Sequence, residues 1–257
     1  MTSFVQAARA VLVEHGIVTA FALVGCVAWA SSAFAARVTG GRVHGSAVAV
    51  VVGLALAYAG GLATGGRKGI ADLEWLAGVG LLGGAVLRDL TIVATAYGMR
   101  LEELKDAGLV GVVALVTGLV TAFAAGAVVA WAFGFRDAVS LTTIGAGAAT
   151  FIVGPVTGTA LGASGDVIAL AVAAGVVKSI AVMVLTPVVA RSIGLDNPRA
   201  ALVYGGVMGT TSGVAAGLAA TDERLVPYGA MTATFYTGLG CLCGPSVAYA
   251  FFRWLCA

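Results

Sequence analysis

The sequence runs to 257 residues, of which 60% are hydrophobic and 10% charged, with a formal net charge of +2. A soluble domain carries roughly 25% charged residues, so this chain has too little polar surface to cover a particle in water. The net charge says nothing about nucleic acid, but there is no basic patch to track a phosphate backbone, and only His15 and His44 are available to a catalytic triad or a histidine-rich metal centre.

Charges and turn residues divide the chain into about eight apolar spans, at 16–36, 44–63, 75–97, 107–134, 138–155, 167–190, 200–220 and 229–252. Many of them reach the ~20 residues that a helix needs to cross ~30 Å of hydrocarbon. The expected fold is therefore all-α: a polytopic transmembrane helical bundle with broken or re-entrant segments. The 38 glycines suit close helix packing in lipid, where small residues let backbones approach. The first span ends in Ser-Ala-Phe-Ala-Ala, like a signal-peptidase site, but Phe21-Ala22 and Val27-Ala-Trp-Ala30 recur as Phe123-Ala124 and Val129-Ala-Trp-Ala132 in a segment that cannot be a leader. After the second span, Gly65-Gly-Arg-Lys68 lacks the spacing and the flanking strand of a phosphate-binding loop. The third span holds Arg88-Asp89, followed by Thr91 and Thr95. A charge at the bilayer centre costs at least ~2.5 kcal/mol, so such a pair faces the bundle interior or a watery cavity. Either the two neutralise each other or lie near the membrane surface on a tilted helix, or Arg88 serves an anionic solute and Asp89 a coupling cation or the placing of Arg88.

The longest polar connection, Met99–Asp106, leaves no room for an extramembrane catalytic domain. Next to the fifth span, Arg136-Asp137 reads as a surface pair, as does Asp222-Glu-Arg224 further on. Ser140-Leu-Thr-Thr143 opens that span and Gly154-Pro-Val-Thr-Gly-Thr159 breaks it. Proline and glycine interrupt the helical ladder, freeing carbonyls for Na⁺ and N–H groups for a carboxylate, and threonine hydroxyls can serve either. The competing reading is packing glycine with threonine bonded back to its own helix. Asp166 follows the break. Lys178 lies some eleven residues into the sixth span, where it either snorkels to an interface or meets a substrate or an internal ion partner. Gly209-Thr-Thr-Ser-Gly213 interrupts the seventh span, and Thr232-Ala-Thr234 lies early in the eighth. The substrate candidates are Arg88, Lys178, Thr157, Thr159, Thr232 and Thr234. The cation candidates are Asp89, Asp166, Thr143, Thr210, Thr211 and Ser212. Cys26, Cys241 and Cys243, without companion histidines, read as small buried hydrophobes, and no cofactor is expected.

The halves resemble each other weakly: Arg42, Ser46, Gly53, Gly60 and Asp72 meet Arg136, Ser140, Gly147, Gly154 and Asp166 at one offset. A repeat of 16–106 in 118–224 with three spans per copy would be inverted in the membrane, as in many alternating-access carriers. With eight full crossings, seven of the Arg and Lys residues fall on the side of the termini and five on the other, which favours cytoplasmic termini. The chain thus reads as one membrane transport domain for a small organic anion. A channel or an embedded enzyme competes, although no nucleophile and base pair supports the latter.

A resemblance narrows the reading. Gly41-Arg-Val-His-Gly-Ser-Ala47, Leu87-Arg-Asp89, Ile92-Val-Ala-Thr95, Arg136-Asp-Ala-Val-Ser140, Thr142-Thr-Ile-Gly-Ala-Gly147, Val153-Gly-Pro-Val-Thr-Gly-Thr159, Gly209-Thr-Thr-Ser-Gly213 and Val226–Gly240 follow in order. Over about residues 12 to 250 the sequence resembles the larger membrane subunit, MadM, of bacterial malonate transporters. The resemblance implies import of malonate with Na⁺, in the bacterial inner membrane and with a smaller MadL-like membrane subunit. H⁺ stays open as the coupling ion, since carboxylates such as Asp89 serve either.

Overall fold

The computed structural model describes residues 2–40, 43, 45–66, 68–82 and 101–256, the side chains of 2, 3 and 101–107 excepted. Arg88 and Asp89, with Thr91 and Thr95, lie outside the described residues. Among those described, all regular structure is helical and five helices are long and apolar enough to cross a membrane. This is a polytopic membrane bundle. The chain divides into two compact units, Met1–Tyr97 and Gly98–Ala257.

In the first unit, α1 (Thr2–Glu14) and α2 (Gly16–Thr39) are followed by α3 (Gly45–Thr64), two 3₁₀ turns and the short α4 (Ala77–Leu81). Small residues set these contacts. A Cβ on Gly45 would lie 2.6 Å from the Ser32 Cα, and one on Gly60 would lie 2.8 Å from the Gly69 carbonyl carbon. Arg9 and Glu74 form an exposed ion pair at 2.9 Å. The Asp72 carboxylate accepts a 2.7 Å bond from the Lys68 N–H. Cys26, expected to be buried, is exposed on α2.

The second unit is built from three long helices and two short-legged hairpins. The long helices are α5 (Leu101–Ala132), broken at Gly108, α8 (Gly165–Val189), and α11 (Val226–Cys243), which continues through a π turn (Gly244–Ala248) into α12 (Tyr249–Leu255). Hairpin A joins α6 (Ala138–Ala149) to α7 (Val153–Leu161). Hairpin B joins α9 (Pro198–Met208) to α10 (Thr211–Ala219). At 12, 9, 11 and 9 residues, the legs are about 18 to 14 Å long at 1.5 Å per residue, and so reach roughly halfway across a bilayer.

The direction of hairpin A follows from its cross-contacts. Gly147 opposes Gly154, and Thr143 opposes Gly158, each within 3 Å of where a Cβ would sit. These pairs step in opposite senses along the two legs, so α7 runs back beside α6. Hairpin B turns back too, with its legs splayed. Thr186 meets both Tyr204 on α9, through a 2.7 Å hydroxyl bond, and Gly217 on α10, while seven residues earlier on α8 Ser179 meets Thr210 at the turn. The fifth and seventh expected spans, 138–155 and 200–220, are therefore each a helical hairpin and not one continuous helix. Arg136, placed with Arg191 and Arg199 if every span crosses, stands at the opposite end of this unit from them.

Local chemistry explains each turn. Asp137 caps α6, accepting from the Ser140 N–H at 2.8 Å, and so is not paired with Arg136. Arg136 instead stacks over Trp131, 4.5 Å from its ring centroid, and donates to the Trp131 and Phe135 carbonyls. At the tip of hairpin A, Thr150 is extended and its Oγ1 accepts from the N–H groups of Ile152 and Val153 at 3.2 and 3.1 Å. Donors that would otherwise be orphaned at this depth are thus satisfied. At the tip of hairpin B, Gly209 has φ +70° and faces the Tyr236 ring so closely that a Cβ would overlap it; only glycine meets both demands. Hydrophobic residues of α5, α6, α7 and α11, among them Leu119, Phe123, Ile144, Val153 and Tyr236, form the core around hairpin A.

Candidate functional site

Both hairpin tips are held by consecutive residues in the middle of α8. The Lys178 ammonium donates to the Ala149 carbonyl at 2.8 Å, where α6 ends. The Ser179 hydroxyl lies 2.6 Å from Thr210 Oγ1, where α10 begins. Hairpin A lies along the first half of α8, with Gly158 against Ile168 and Gly175 against Phe151. Hairpin B lies along the second half, so the two enter from opposite ends and meet at 178–179.

Tyr236 closes the other side. Its ring faces Gly209 and lies 5.2 Å from Lys178 Nζ, and its hydroxyl donates to the Gly118 carbonyl on α5 at 3.1 Å. Along α11, Gly229 meets Leu218 of hairpin B, while Gly240 meets Val153 and Gly244 meets Thr157 of hairpin A. Two long helices thus clamp two facing tips.

The ends of four short helices converge here. The carbonyl ends of α6 and α9 carry partial negative charge and the N–H ends of α7 and α10 partial positive charge. Lys178 answers the carbonyl end of α6. Lys178 also lines an open cavity of about 750 Å³ that runs between α8 and α9 past Leu185 and Val203 to Asn197 and Arg199. At the tip of hairpin B, Thr210 is buried, Thr211 half-buried and Ser212 exposed. The first turn of α10 has N–H groups without intrahelical acceptors; the Gly213 N–H goes to Thr210 Oγ1.

The remaining candidates fall into three kinds. Thr232 and Thr234 are engaged structurally: Thr232 Oγ1 donates to the Leu202 carbonyl at 2.8 Å, tying α11 to α9, and Thr234 donates to Ala230 of its own helix. Thr159 and Asp166 are exposed near the base of hairpin A. Asp166 lies twelve residues, about 18 Å, along α8 from Lys178 and complements the positive end of that helix. Thr143 and Thr157 are fully buried, and neither hydroxyl has a hydrogen-bond partner. Asp222 and Arg224 form the expected surface pair at 2.7 Å.

Sequence reasoning passed over Ser179, Tyr236 and the Ala149 carbonyl. A usable signal exists. Asp137, Gly147, Gly154 and Gly158 of hairpin A meet Asp196, Gly206, Gly213 and Gly217 of hairpin B at a constant offset of 59 (196 − 137). That spacing brings the two tips into register and points to the stretch between them, where Lys178 and Ser179 stand.

The sequence model of the malonate/sodium symporter MadM subunit family matches residues 8–256. The chain belongs to this family. It is therefore a membrane transport protein, and the MadM match spans both units and every residue of the convergent tips. No curated protein and no solved structure matches it. Among the described residues, no group of three or more His, Cys, Asp and Glu side chains could hold a metal ion.

Proposed function

We propose that the chain imports malonate with Na⁺ across the bacterial inner membrane, together with a small MadL-like membrane subunit. Besides family membership, the observation that carries this reading is Lys178. It is a cation at mid-helix, held by a single carbonyl at a place where two hairpin tips leave helix ends facing one another. A malonate carboxylate displaces the Ala149 carbonyl from Lys178 and gains a full charge in place of a partial one. The second carboxylate takes the N–H end of α10 and the hydroxyls of Thr211 and Ser212. Arg199, at the outer end of the cavity, draws the anion in.

Malonate is a dianion, and its inward movement costs about 2.3 kcal/mol per charge for each 100 mV. At least two co-transported cations are needed to cancel that electrical cost, which is why the reading includes Na⁺. Arg191, Arg199 and Arg224 gather at the hairpin B end of the second unit against Arg136 and Arg253 at the other, so the hairpin B end faces the cytoplasm by the positive-inside rule. In the first unit, Arg88 and Asp89 stay candidates for substrate and cation.

The test is uptake of radiolabelled malonate into proteoliposomes holding this chain with and without the small subunit, under an imposed Na⁺ gradient and separately a pH gradient. Uptake driven by Na⁺ and abolished when the gradient collapses is the expected result. Uptake driven by the pH gradient alone replaces Na⁺ with H⁺, and no malonate uptake from folded protein overturns the substrate.

A further inference from the structure

Hairpin A contains a second polar place that the tips do not use. Helical threonines in this unit bond to the carbonyl four residues back: Thr142 to Ala138, Thr186 to Val182, Thr234 to Ala230 and Thr237 to Ala233. Thr143 on α6 and Thr157 on α7 depart from this habit. Both are fully enclosed, and neither Oγ1 meets any donor or acceptor. A buried hydroxyl left unmatched costs free energy, so two in one hairpin mark a place built for something else.

The surroundings give its character. Thr143 faces α7, its Cγ2 lying 2.8 Å from where a Cβ of Gly158 would stand, and Thr157 Oγ1 faces the Cα of Gly244 so closely that a Cβ there would overlap it. Gly244 opens the π turn Gly244–Ala248, where Pro245 has no N–H to give. A π turn interrupts the regular carbonyl ladder, and such turns recur at functional sites. The α6, α7 and π-turn segments pack on one another, so both threonines belong to one three-way junction. Neutral oxygens without a carboxylate suit a monovalent hard cation, since Ca²⁺ and Mg²⁺ sites draw on carboxylates.

We propose that Thr143, Thr157 and backbone carbonyls of this junction bind a Na⁺ ion where hairpin A meets the π turn. The inference rests on the reading of the chain as a Na⁺-coupled carrier and assigns both threonines to the cation, Thr157 having been a substrate candidate. The site lies six residues, about 9 Å, behind the tip. Sodium there braces the two legs and so fixes the Ala149 carbonyl that Lys178 holds. Sodium and malonate therefore strengthen each other's binding by the same factor.

Thr143→Val and Thr157→Val keep the shape and remove the oxygen. Thermal unfolding of the purified full chain in NaCl and in choline chloride reads the site directly. Sodium stabilises the parent protein selectively, both valine variants lose that response while unfolding no earlier in choline, and Thr→Ser variants retain it. In proteoliposomes the Na⁺ concentration for half-maximal malonate uptake rises about tenfold or more in each valine variant. No sodium-specific stabilisation of the parent, or an unchanged response in the variants, overturns the site and leaves only bound water there. A sodium response lost in the variants, with malonate uptake indifferent to Na⁺, keeps the site and overturns the coupling.

Discussion

Replacing Lys178 with Met tests the convergence of the two tips, because the variant loses the charge and keeps most of the volume. Two stabilising contacts disappear. The bond from the ammonium to the Ala149 carbonyl is of a kind worth about 1.5–3 kcal/mol, and the cation–π contact with Tyr236 is worth about 2 kcal/mol when desolvated. Against them stands the cost of holding a lysine near the bilayer centre, at least ~2.5–3.5 kcal/mol. The two sides differ by no more than about 2.5 kcal/mol, so the variant inserts and folds. Anion binding does not balance in this way. A carboxylate about 4 Å from the ammonium gains about 4 kcal/mol at an effective dielectric of ~20. Losing the carbonyl bond on binding takes back about 1.5–3 kcal/mol. The remaining 1–2.5 kcal/mol corresponds to a roughly five- to seventyfold rise in the malonate concentration for half-maximal uptake. The assay is initial-rate uptake in proteoliposomes, with monodispersity of the purified variant as the control on folding. A well-folded Lys178→Met protein with parental half-saturation would refute the placement of substrate at the tips.

Three further outcomes follow from the geometry. Gly209→Ala must accommodate both φ +70° and the overlap with Tyr236; the left-handed backbone alone costs about 1–2 kcal/mol, so this variant unfolds at clearly lower temperature, and an unchanged melting temperature would show that the tip relaxes freely. Thr232→Val removes the bond that ties α11 to the Leu202 carbonyl, lowering stability by about 1 kcal/mol while leaving the Na⁺ dependence of uptake where it was; a shifted Na⁺ dependence would return Thr232 to the cation path. Asp137→Ala removes the cap of α6 and lowers stability by about 1 kcal/mol. Burial alone would raise the Asp137 pKa, but hydrogen bonds from Ser140 and from the Asp137 and Val139 N–H groups together outweigh it and the pKa falls below the usual 3.8. A depressed carboxylate contributes stability that is present above its unfolded pKa and lost as pH falls through the folded one, so the gap between parent and variant closes below about pH 4; a gap that persists at lower pH would rule out the charged cap.

The bundle, the two interruptions and the isolated Lys178 were all legible in the sequence, because each rests on local chemistry. Long uncharged runs mean lipid, Gly209 means a broken ladder, and a lysine in the middle of such a run stands out by cost; the break expected at 154–159 falls instead at 150–152, and 154–159 is helical in α7. The direction of the chain after each break was not legible. Two legs of 12 and 9 residues, joined by three uncharged ones, give the same hydropathy as one crossing, and only contacts such as Gly147 with Gly154 separate the two. The same limit applied to the hydroxyls. Thr143, Thr157, Thr232 and Thr234 look alike in sequence, and what divides them is whether a carbonyl of another helix or of their own turn lies within reach. The 59-residue offset between the hairpins was present all along, masked by the abundance of Gly, Ala and Val.

Hairpin A has a consequence for how the protein is made. Its tip sits against α8, but the far side is closed by Gly240, Gly244 and Phe252, which leave the ribosome about a hundred residues later, at 5–20 residues per second. For those seconds a turn with polar backbone waits at the membrane without its cover, in a solvent that offers it no hydrogen bonds. Assembly of the second unit is therefore completed from its last helix backwards, and a chain halted before residue 240 presents an unfinished hairpin to the proteases that police the bilayer.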